Sequence, residues 1–402
     1  MRGRPSQSAA VMTRRQVLGH AARTIAAASA GALVLPGCRP RRAAAATIKV
    51  GILHSQTGTM AISETSLRDV ELLAIDEINA AGGVLGHQIE AVVEDPRSRA
   101  ADLFPKKARR LLEQERVAVV FGCWTSASRK AVLPVFEELG GLLFYPLQYE
   151  GAECSPHVVC TGLVPNQQIL PAIDWLLGPE GGSRKRVFLV GSDYVYPRVT
   201  NQIVKGHLGS KGLGPVGEIY TPLGHREYAQ VVHDLVAAEP DAVLSTINGD
   251  SNVAFYNELI RQGVDAERIP VLASSVSEDE LRSLVPAAVK GHLAAWGYFQ
   301  SLATVENQRF VARFQAEYGP DRVVGDPMIS AYSAVNLWKL AVERAGTFDV
   351  DAVRQALRGG IELDGPGGLI RVDSRNQHVY RRCRVGRINA ERQFTILHES
   401  PS

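Results

Sequence analysis

Short apolar runs alternate with longer amphipathic stretches along most of the chain. The first run covers 48–53, and apolar residues then recur at helical spacing until a Gly pair at 82–83. The later apolar runs cover 89–93, 117–121, 141–145, 187–190, 242–247, 270–273 and 292–296. The amphipathic stretches cover 102–114, 126–138, 166–177, 195–209, 227–238, 251–262 and 306–318. Short buried strands that alternate with helices predict parallel β-sheets built from βαβ units.

The alternation restarts near residue 187, after a candidate linker at 161–166. This restart predicts an α/β protein with two doubly wound parallel-sheet lobes. In such sheets, ligands bind beyond the carboxyl ends of the strands, in the loops that lead into the helices. The functional residues are therefore expected in these loops.

The predicted loops are rich in hydroxyl, amide and aromatic side chains and carry few charges. They cover 54–59, 122–128, 146–151, 191–196 and 248–252. This chemistry suits a small, neutral, polar ligand. The chain has no phosphate-binding Gly-rich motif, no G-x-S-x-G motif and no H-E-x-x-H motif. We therefore expect a binding protein without a cofactor rather than an enzyme, although a catalytic triad assembled in space stays open.

The first 38 residues are typical of an export signal. They contain five Arg and no acidic residue, and the pair Arg14-Arg15 precedes a twelve-residue apolar stretch at 24–35. That stretch is too short to span a bilayer but suits a twin-arginine export signal, with Met1 or Met12 as the start. Residues 35–38 resemble a lipobox, which makes Cys38 the candidate lipidated residue. A plain cleavable signal with an incidental Cys is the alternative.

The net charge and the cysteine content limit which classes of protein and which kinds of site the chain can represent. The 402 residues carry a net charge of +2, which argues against a dedicated nucleic-acid binder. Residues 39–46 contain three Arg and form a candidate basic tether that favours anionic lipid headgroups. The later cysteines lack zinc-site spacing; Cys154 and Cys160 fit either a small disulfide loop or two free thiols. Arg129 and Lys130 are expected on a solvated helix face.

Five loop segments carry a family resemblance. They are 122–137 (GCWTSASRKAVLPVFE), 145–151 (YPLQYEG), 165–168 (PNQQ), 191–198 (GSDYVYPR) and 248–254 (NGDSNVA). On these segments, the chain resembles the urea ABC-transporter substrate-binding proteins. They form part of the urea and short-chain amide branch of the type I periplasmic binding proteins, which is related to the branched-chain amino-acid binders. The resemblance extends from about residue 48 to about residue 397.

The resemblance implies two lobes that close on a ligand around three chain crossings, near residues 166, 295 and 366. Lobe 1 is then expected at 48–166 and 296–366, and lobe 2 at 167–295 and 367–397. The implied function is to capture urea outside the cytoplasm and deliver it to a membrane permease driven by ATP-binding subunits, with only a lipid anchor in the membrane. Formamide, acetamide or branched-chain amino acids are alternative ligands. An amide-sensing regulator is a further alternative, which the export signal disfavours.

The resemblance also supplies candidate ligand-binding residues on both lobes. They are Trp124, Ser126, Tyr145, Gln148 and Tyr149 in lobe 1, and Asp193, Tyr194 and Asp250 in lobe 2. Urea is planar and needs donors for its oxygen and acceptors for its NH2 groups. We expect Trp124 to stack on it, Ser126 or backbone N–H groups to donate to the oxygen, and Asp250 to accept from the nitrogens. Asp193 and Asp250 also suit a purely helix-capping role.

Overall fold

The computed structural model describes residues 46–401. The predicted export signal at 1–38, the candidate lipidation site Cys38 and all but the last residue of the tether lie outside the described residues. The part of the chain from Ala45 onward forms one compact unit. No helix within the described range is long and apolar enough to cross a membrane.

The chain first builds a five-stranded parallel sheet. Its strands are β1 (Thr47–Leu53), β2 (Gln88–Glu94), β3 (Val120–Gly122), β4 (Leu143–Tyr145) and β5 (Val158–Cys160). They lie in the order β2-β1-β3-β4-β5. The connecting helices are α1 (Ala61–Ala80), α2 (Leu103–Arg109), which continues into a π-helical turn at Arg110–Glu115, and α3 (Ser126–Leu139). These elements form the first part of lobe 1.

The chain then crosses to a second sheet through residues 161–168. Its elements up to the next crossing are α4 (Ile169–Leu177), β6 (Val187–Ser192), α5 (Val195–Ser210), β7 (Gly217–Thr221), α6 (Ala229–Ala237), β8 (Ala242–Thr246), α7 (Ser251–Arg261), β9 (Val271–Ala273), α8 (Glu278–Leu281), α9 (Pro286–Val289) and β10 (Leu293–Trp296). Each pair of neighbouring strands among β6–β10 is parallel. These elements form the first part of lobe 2.

The second crossing, at 297–304, returns the chain to lobe 1. There it forms α10 (Val305–Tyr318), α11 (Asp326–Ala345), α12 (Val350–Arg358) and a small antiparallel sheet of β11 (Glu362–Gly365), β12 (Gly368–Val372) and β13 (Val379–Tyr380). The chain crosses a third time at 381–383. It ends in β14 (Arg384–Ile388) and β15 (Phe394–Glu399), which pair antiparallel on the edge of the lobe 2 sheet next to β10.

The third crossing lies later in the chain than the expected position near residue 366. Ile370, Val372 and Val379 of β12 and β13 are buried in the core of lobe 1, against residues of α11 and α12. Residues 367–380 therefore stay with lobe 1, and lobe 2 resumes at β14. Burial of these apolar residues fixes the small sheet on the first lobe.

The inner strands of both large sheets are buried on both faces. In β4, Leu143 and Tyr145 pack into one core while Phe144 packs into another on the opposite side of the sheet. In β6, Val187 and Leu189 face one core, and Phe188 and Val190 the other. Because alternate residues point to opposite faces, a strand covered on both sides reads as a continuous apolar run. The predicted two-lobed α/β architecture is confirmed.

Candidate functional site: the cleft between the lobes

Loops at the carboxyl ends of the strands of the two lobes meet across a cleft. The Gln148 side-chain amide, in the loop after β4, donates to the Ser274 carbonyl and to Ser275 Oγ of lobe 2, both at 3.0 Å. Trp124 Nε1, after β3, lies 3.5 Å from Asn248 Oδ1 of lobe 2. These direct contacts hold the lobes closed on one another. The structure thus brings Trp124 and Gln148, predicted from the sequence, to the interface between the lobes.

The turn from β3 into α3 presents helix N–H groups to the cleft. Cys123 has a left-handed backbone (φ 66°), and Thr125 caps α3 by accepting from the Ser128 N–H at 3.0 Å. The N–H groups of Ser126 and Ala127 also belong to the first turn of α3. Backbone N–H groups in the first turn have no carbonyl partner within the helix. The N-terminus of α3 therefore has backbone N–H donors without partners inside the helix and a partial positive charge.

Behind this turn lies a buried charge network centred on Arg129. Its guanidinium donates to Glu150 Oε1 at 2.8 Å, to Glu153 Oε2 at 3.2 Å and to Ser126 Oγ at 3.1 Å. The Ser126 hydroxyl donates to Glu150 Oε2 at 2.5 Å. The expectation of a solvated Arg129 is wrong because the side chain is fully buried, whereas its neighbour Lys130 is 46% exposed. Arg129 compensates the charge of Glu150 beside Ser126.

The rings of two tyrosines pack against the guanidinium of Arg129. The Arg129 guanidinium lies 4.9 Å from the ring centroid of Tyr145 and 4.5 Å from that of Tyr149, within cation–π range. The Tyr145 hydroxyl donates to the Trp124 carbonyl at 2.5 Å. Tyr149 OH lies 2.6 Å from His378 Nε2. Both predicted tyrosines thus lie at the site, and the structure shows them supporting Arg129 and the β3–α3 turn.

Lobe 2 contributes aromatic side chains at the start of α5. Tyr194 is half-buried, and its ring centroid lies 6.3 Å from that of Tyr196. Burial raises the pKa of the Tyr194 phenol well above its ordinary value, and Tyr145 of lobe 1 adds to the rise. The Tyr196 hydroxyl donates to Ser274 Oγ at 2.8 Å. Tyr194 and Tyr196 thus form an aromatic pair where α5 begins.

The two predicted aspartates have different surroundings. Asp193 is exposed, and its carboxylate binds Arg198 at 2.8 Å, so the structure does not bring it together with the cleft residues. Asp250 Oδ1 accepts from Thr59 Oγ1 of lobe 1 at 3.1 Å, and Oδ2 accepts from Arg226 at 2.9 Å. Asp250 occupies the N-cap position of α7 without a side-chain capping bond. Its carboxylate joins the two lobes at the rim of the cleft.

A further contact between the lobes lies at α8, which carries three consecutive acidic residues. Glu278, Asp279 and Glu280 are all buried, and the Ser66 hydroxyl on α1 of lobe 1 donates to Asp279 Oδ2. Burial raises the pKa of Glu278 to about 8 and that of Glu280 to about 7, and it raises the pKa of Asp279 as well. Burial therefore favours the protonated forms of these three carboxyls.

The described cysteines are all free thiols. Cys154 is exposed, while Cys123, Cys160 and Cys383 are buried. Of the two alternatives for Cys154 and Cys160, the structure shows the unpaired thiols. No group of three or more His, Cys, Asp or Glu side chains within residues 46–401 is arranged to hold a metal ion.

The comparison with family models decides the family. Residues 48–402 match the model described as a periplasmic binding protein domain. The chain belongs to this family. This match covers both lobes and the loops that meet between them.

Relatives in sequence share most of the chain. It is 26% identical over 346 residues to Leu/Ile/Val-binding protein homolog 7 of Brucella melitensis, covering 81% of this chain and 84% of the relative. It is 24% identical over 357 residues to the leucine-, isoleucine-, valine-, threonine- and alanine-binding protein of Pseudomonas aeruginosa, covering 86% and 90%. These proteins are relatives of the chain across both lobes.

Solved structures share the fold. A solute-binding protein of an ABC transporter from Rhodopseudomonas palustris, in complex with 3,4-dihydroxybenzoic acid, superposes with a TM-score of 0.79 at 21% identity, covering 88% of this chain and 97% of that one. A branched-chain amino-acid transporter substrate-binding protein from Streptococcus pneumoniae, in complex with isoleucine, gives 0.75 at 18% identity, covering 88% and 99%. At these sequence identities, the structural similarity is evidence for the fold alone.

Proposed function

We propose that the chain is the extracytoplasmic substrate-binding protein of an ABC importer. The observation that carries this proposal is the direct closure of two lobes, by side chains from loops at the carboxyl ends of their strands, around a hydrogen-bonding and aromatic cleft. A ligand that contacts both lobes favours the closed state by its differential affinity for that state. The closed protein then presents its ligand to a permease and its ATP-binding subunits, and the three crossings act as the hinge.

An amino acid with an apolar side chain is the first candidate ligand. The names of the relatives support it more directly than they support urea. The α3 N-terminus offers N–H donors to a ligand carboxylate. Gln148 Oε1, which is buried and has no hydrogen-bond partner among the described residues, offers an acceptor for an ammonium group. Trp124 and Tyr194 supply apolar surface for the side chain.

Urea or a short-chain amide is the second candidate, favoured by the charge balance at Ser126. Arg129 and Ser126 already occupy the two oxygens of Glu150, so the adjacent part of the cleft carries no uncompensated charge. A neutral carbonyl can accept from the α3 N–H groups without a counter-ion. Its NH2 groups can donate to Gln148 Oε1. A neutral ligand therefore fits without rearrangement of the buried ion pair.

Calorimetry on the exported protein purified in detergent separates these ligands. We expect the protein to bind one of two groups of ligands more tightly than the other. The first group is leucine and isoleucine, and the second is urea, formamide and acetamide. Tighter binding to leucine supports the first candidate, and tighter binding to urea supports the second. If none of these compounds binds, and 3,4-dihydroxybenzoic acid does not bind either, the proposed function fails. Release of ammonia from urea or acetamide would indicate an enzyme instead.

We further propose that the protein is exported and anchored by a lipid at Cys38. The twin-arginine signal and the lipobox at 35–38 support this location, as does membership of the periplasmic binding protein family. Cys38→Ser should move the protein from the membrane fraction to the soluble extracytoplasmic fraction. Unchanged membrane retention of this variant would exclude the anchor while leaving export intact.

A further inference from the structure

A hydrogen bond links the ligand cleft to the segment that enters the third crossing. Tyr149 lies in the loop after β4, and His378 lies between β12 and β13, three residues before the crossing at 381–383. Tyr149 OH and His378 Nε2 are 2.6 Å apart, and their ring centroids are 5.7 Å apart. Tyr149 is buried and His378 is half-buried. The two residues are separated by 229 positions in the sequence.

The surroundings fix the direction of this hydrogen bond. The Glu153 N–H donates to the Tyr149 oxygen at 3.4 Å, so the phenol proton is free to point at His378. Burial raises the pKa of Tyr149 and lowers the pKa of His378, which keeps the phenol protonated and the imidazole neutral. The charged groups facing His378 are Asp373 at the end of β12, Glu153 in the loop after β4, and Arg129 on α3. Tyr149 therefore donates and His378 accepts.

This hydrogen bond fixes the orientation of the Tyr149 ring, against which the Arg129 guanidinium packs. The guanidinium lies 4.5 Å from the Tyr149 ring centroid and contacts both Ser126 and Glu150. A rotation of the Tyr149 ring therefore displaces Arg129. That displacement in turn disturbs the hydroxyl and carboxylate beside the α3 N-terminus.

We propose that His378 is a positioning residue for ligand binding: by accepting the Tyr149 hydroxyl, it fixes Arg129 and thereby the Ser126–Glu150 pair at the cleft. The inference rests on the proposed function, because it assumes that the ligand occupies this cleft. It assigns to the segment before the third crossing a role in the geometry of the binding site.

The inference has a pH signature. A protonated imidazole cannot accept a hydrogen bond, and the lowered pKa places protonation of His378 below the ordinary value of 6.5. Above that value the contact is intact. As the pH falls through the lowered pKa, protonation turns Nε2 from an acceptor into a donor, so the Tyr149 hydroxyl proton must leave this contact, and it adds a positive charge near Arg129. Ligand affinity should therefore weaken on the acid side.

The test compares three single variants, one double variant and one control variant by calorimetry with leucine and with urea between pH 5 and pH 8. His378→Gln keeps an acceptor that cannot be protonated, so we expect near wild-type affinity at pH 7.5 and loss of the acid-side weakening. His378→Leu and Tyr149→Phe each remove one partner and should weaken binding about tenfold at pH 7.5. The double variant should be no weaker than either single variant. His233→Gln, at an exposed position on lobe 2, is the matched control and should change neither value.

A readout without ligand separates this inference from the proposed function. The Arg129 Nε–H resonance in the free protein should shift in His378→Leu and stay near its wild-type position in His378→Gln. If the wild type binds neither leucine nor urea but the resonance shifts as expected, the choice of ligand fails and the positioning role stands. Wild-type affinity, pH profile and Arg129 resonance in His378→Leu would overturn the inference.

Discussion

Replacement of Arg129 by Leu should be among the most damaging single changes in lobe 1. The guanidinium is fully buried between Glu150 at 2.8 Å and Glu153 at 3.2 Å, and both carboxylates are almost inaccessible to solvent. Removal of one partner of a buried ion pair costs about 3–5 kcal/mol, because the remaining charge stays desolvated. In this variant Glu153 still pairs with Lys130 at 3.0 Å, whereas Glu150 loses its ion pair. We therefore expect a loss of about 3 kcal/mol in the free energy of unfolding, at the low end of that range.

Unfolding should be measured with guanidinium chloride, because urea is a candidate ligand. Lys130→Leu is the matched control: it changes the next residue, which is half-exposed, and should cost less than about 1 kcal/mol. The double variant Arg129→Leu, Glu150→Gln should recover part of the loss, since the neutral amide needs no counter-charge. If Arg129→Leu costs no more than Lys130→Leu, the buried network does not stabilise lobe 1 and this reasoning is refuted.

Three further changes test the contacts between the lobes. Gln148→Ala removes two hydrogen bonds to lobe 2 and should weaken ligand affinity about tenfold in calorimetry, while the unfolding midpoint stays nearly unchanged. Asp250→Ala removes the contact with Thr59 and should also weaken binding about tenfold; unchanged affinity would exclude Asp250 from closure and from ligand contact. Burial raises the pKa of Glu280 from 4.5 to about 7, so folding takes up a proton and the free energy of unfolding should fall as the pH rises from 5 to 7. Glu280→Gln should flatten this slope, and an equal slope in both proteins would contradict the assignment.

The pattern of apolar and amphipathic stretches predicted most of the elements up to α10 and missed those that follow residue 318. The strands of both sheets up to β10, except β5 and β7, lie within or overlap predicted apolar runs. The apolar run at β5 is confined to its three residues, whereas the equally short β3, β4 and β9 lie in longer runs, and β7 is only half-buried on the sheet edge. The 20-residue helix α11 was not predicted, because most of its circumference is buried and it lacks a polar face.

The residues of the cleft could be located from the strand–loop–helix pattern and the resemblance, but their roles could not. Trp124, Tyr145 and Gln148 all lie at the cleft, yet Gln148 bonds to lobe 2 and Tyr145 bonds to a backbone carbonyl within lobe 1. These roles depend on which groups the fold places opposite each loop. The partners of Gln148 are 126 and 127 positions away in the sequence, a separation that no local motif records.

The burial of Arg129 could have been inferred from the sequence, as a comparison with Lys130 shows. The two residues are adjacent and have the same charge, but Arg129 is buried and Lys130 is not. Arg129 lies three positions before Val132 and seven before Phe136, both core residues, and therefore shares their face of α3. A cation on an apolar helix face requires a buried anion, and Glu150 in the loop after β4 is such a group. Helical periodicity thus identifies the buried cation, whereas the choice of its partner requires the neighbouring strands to be placed first.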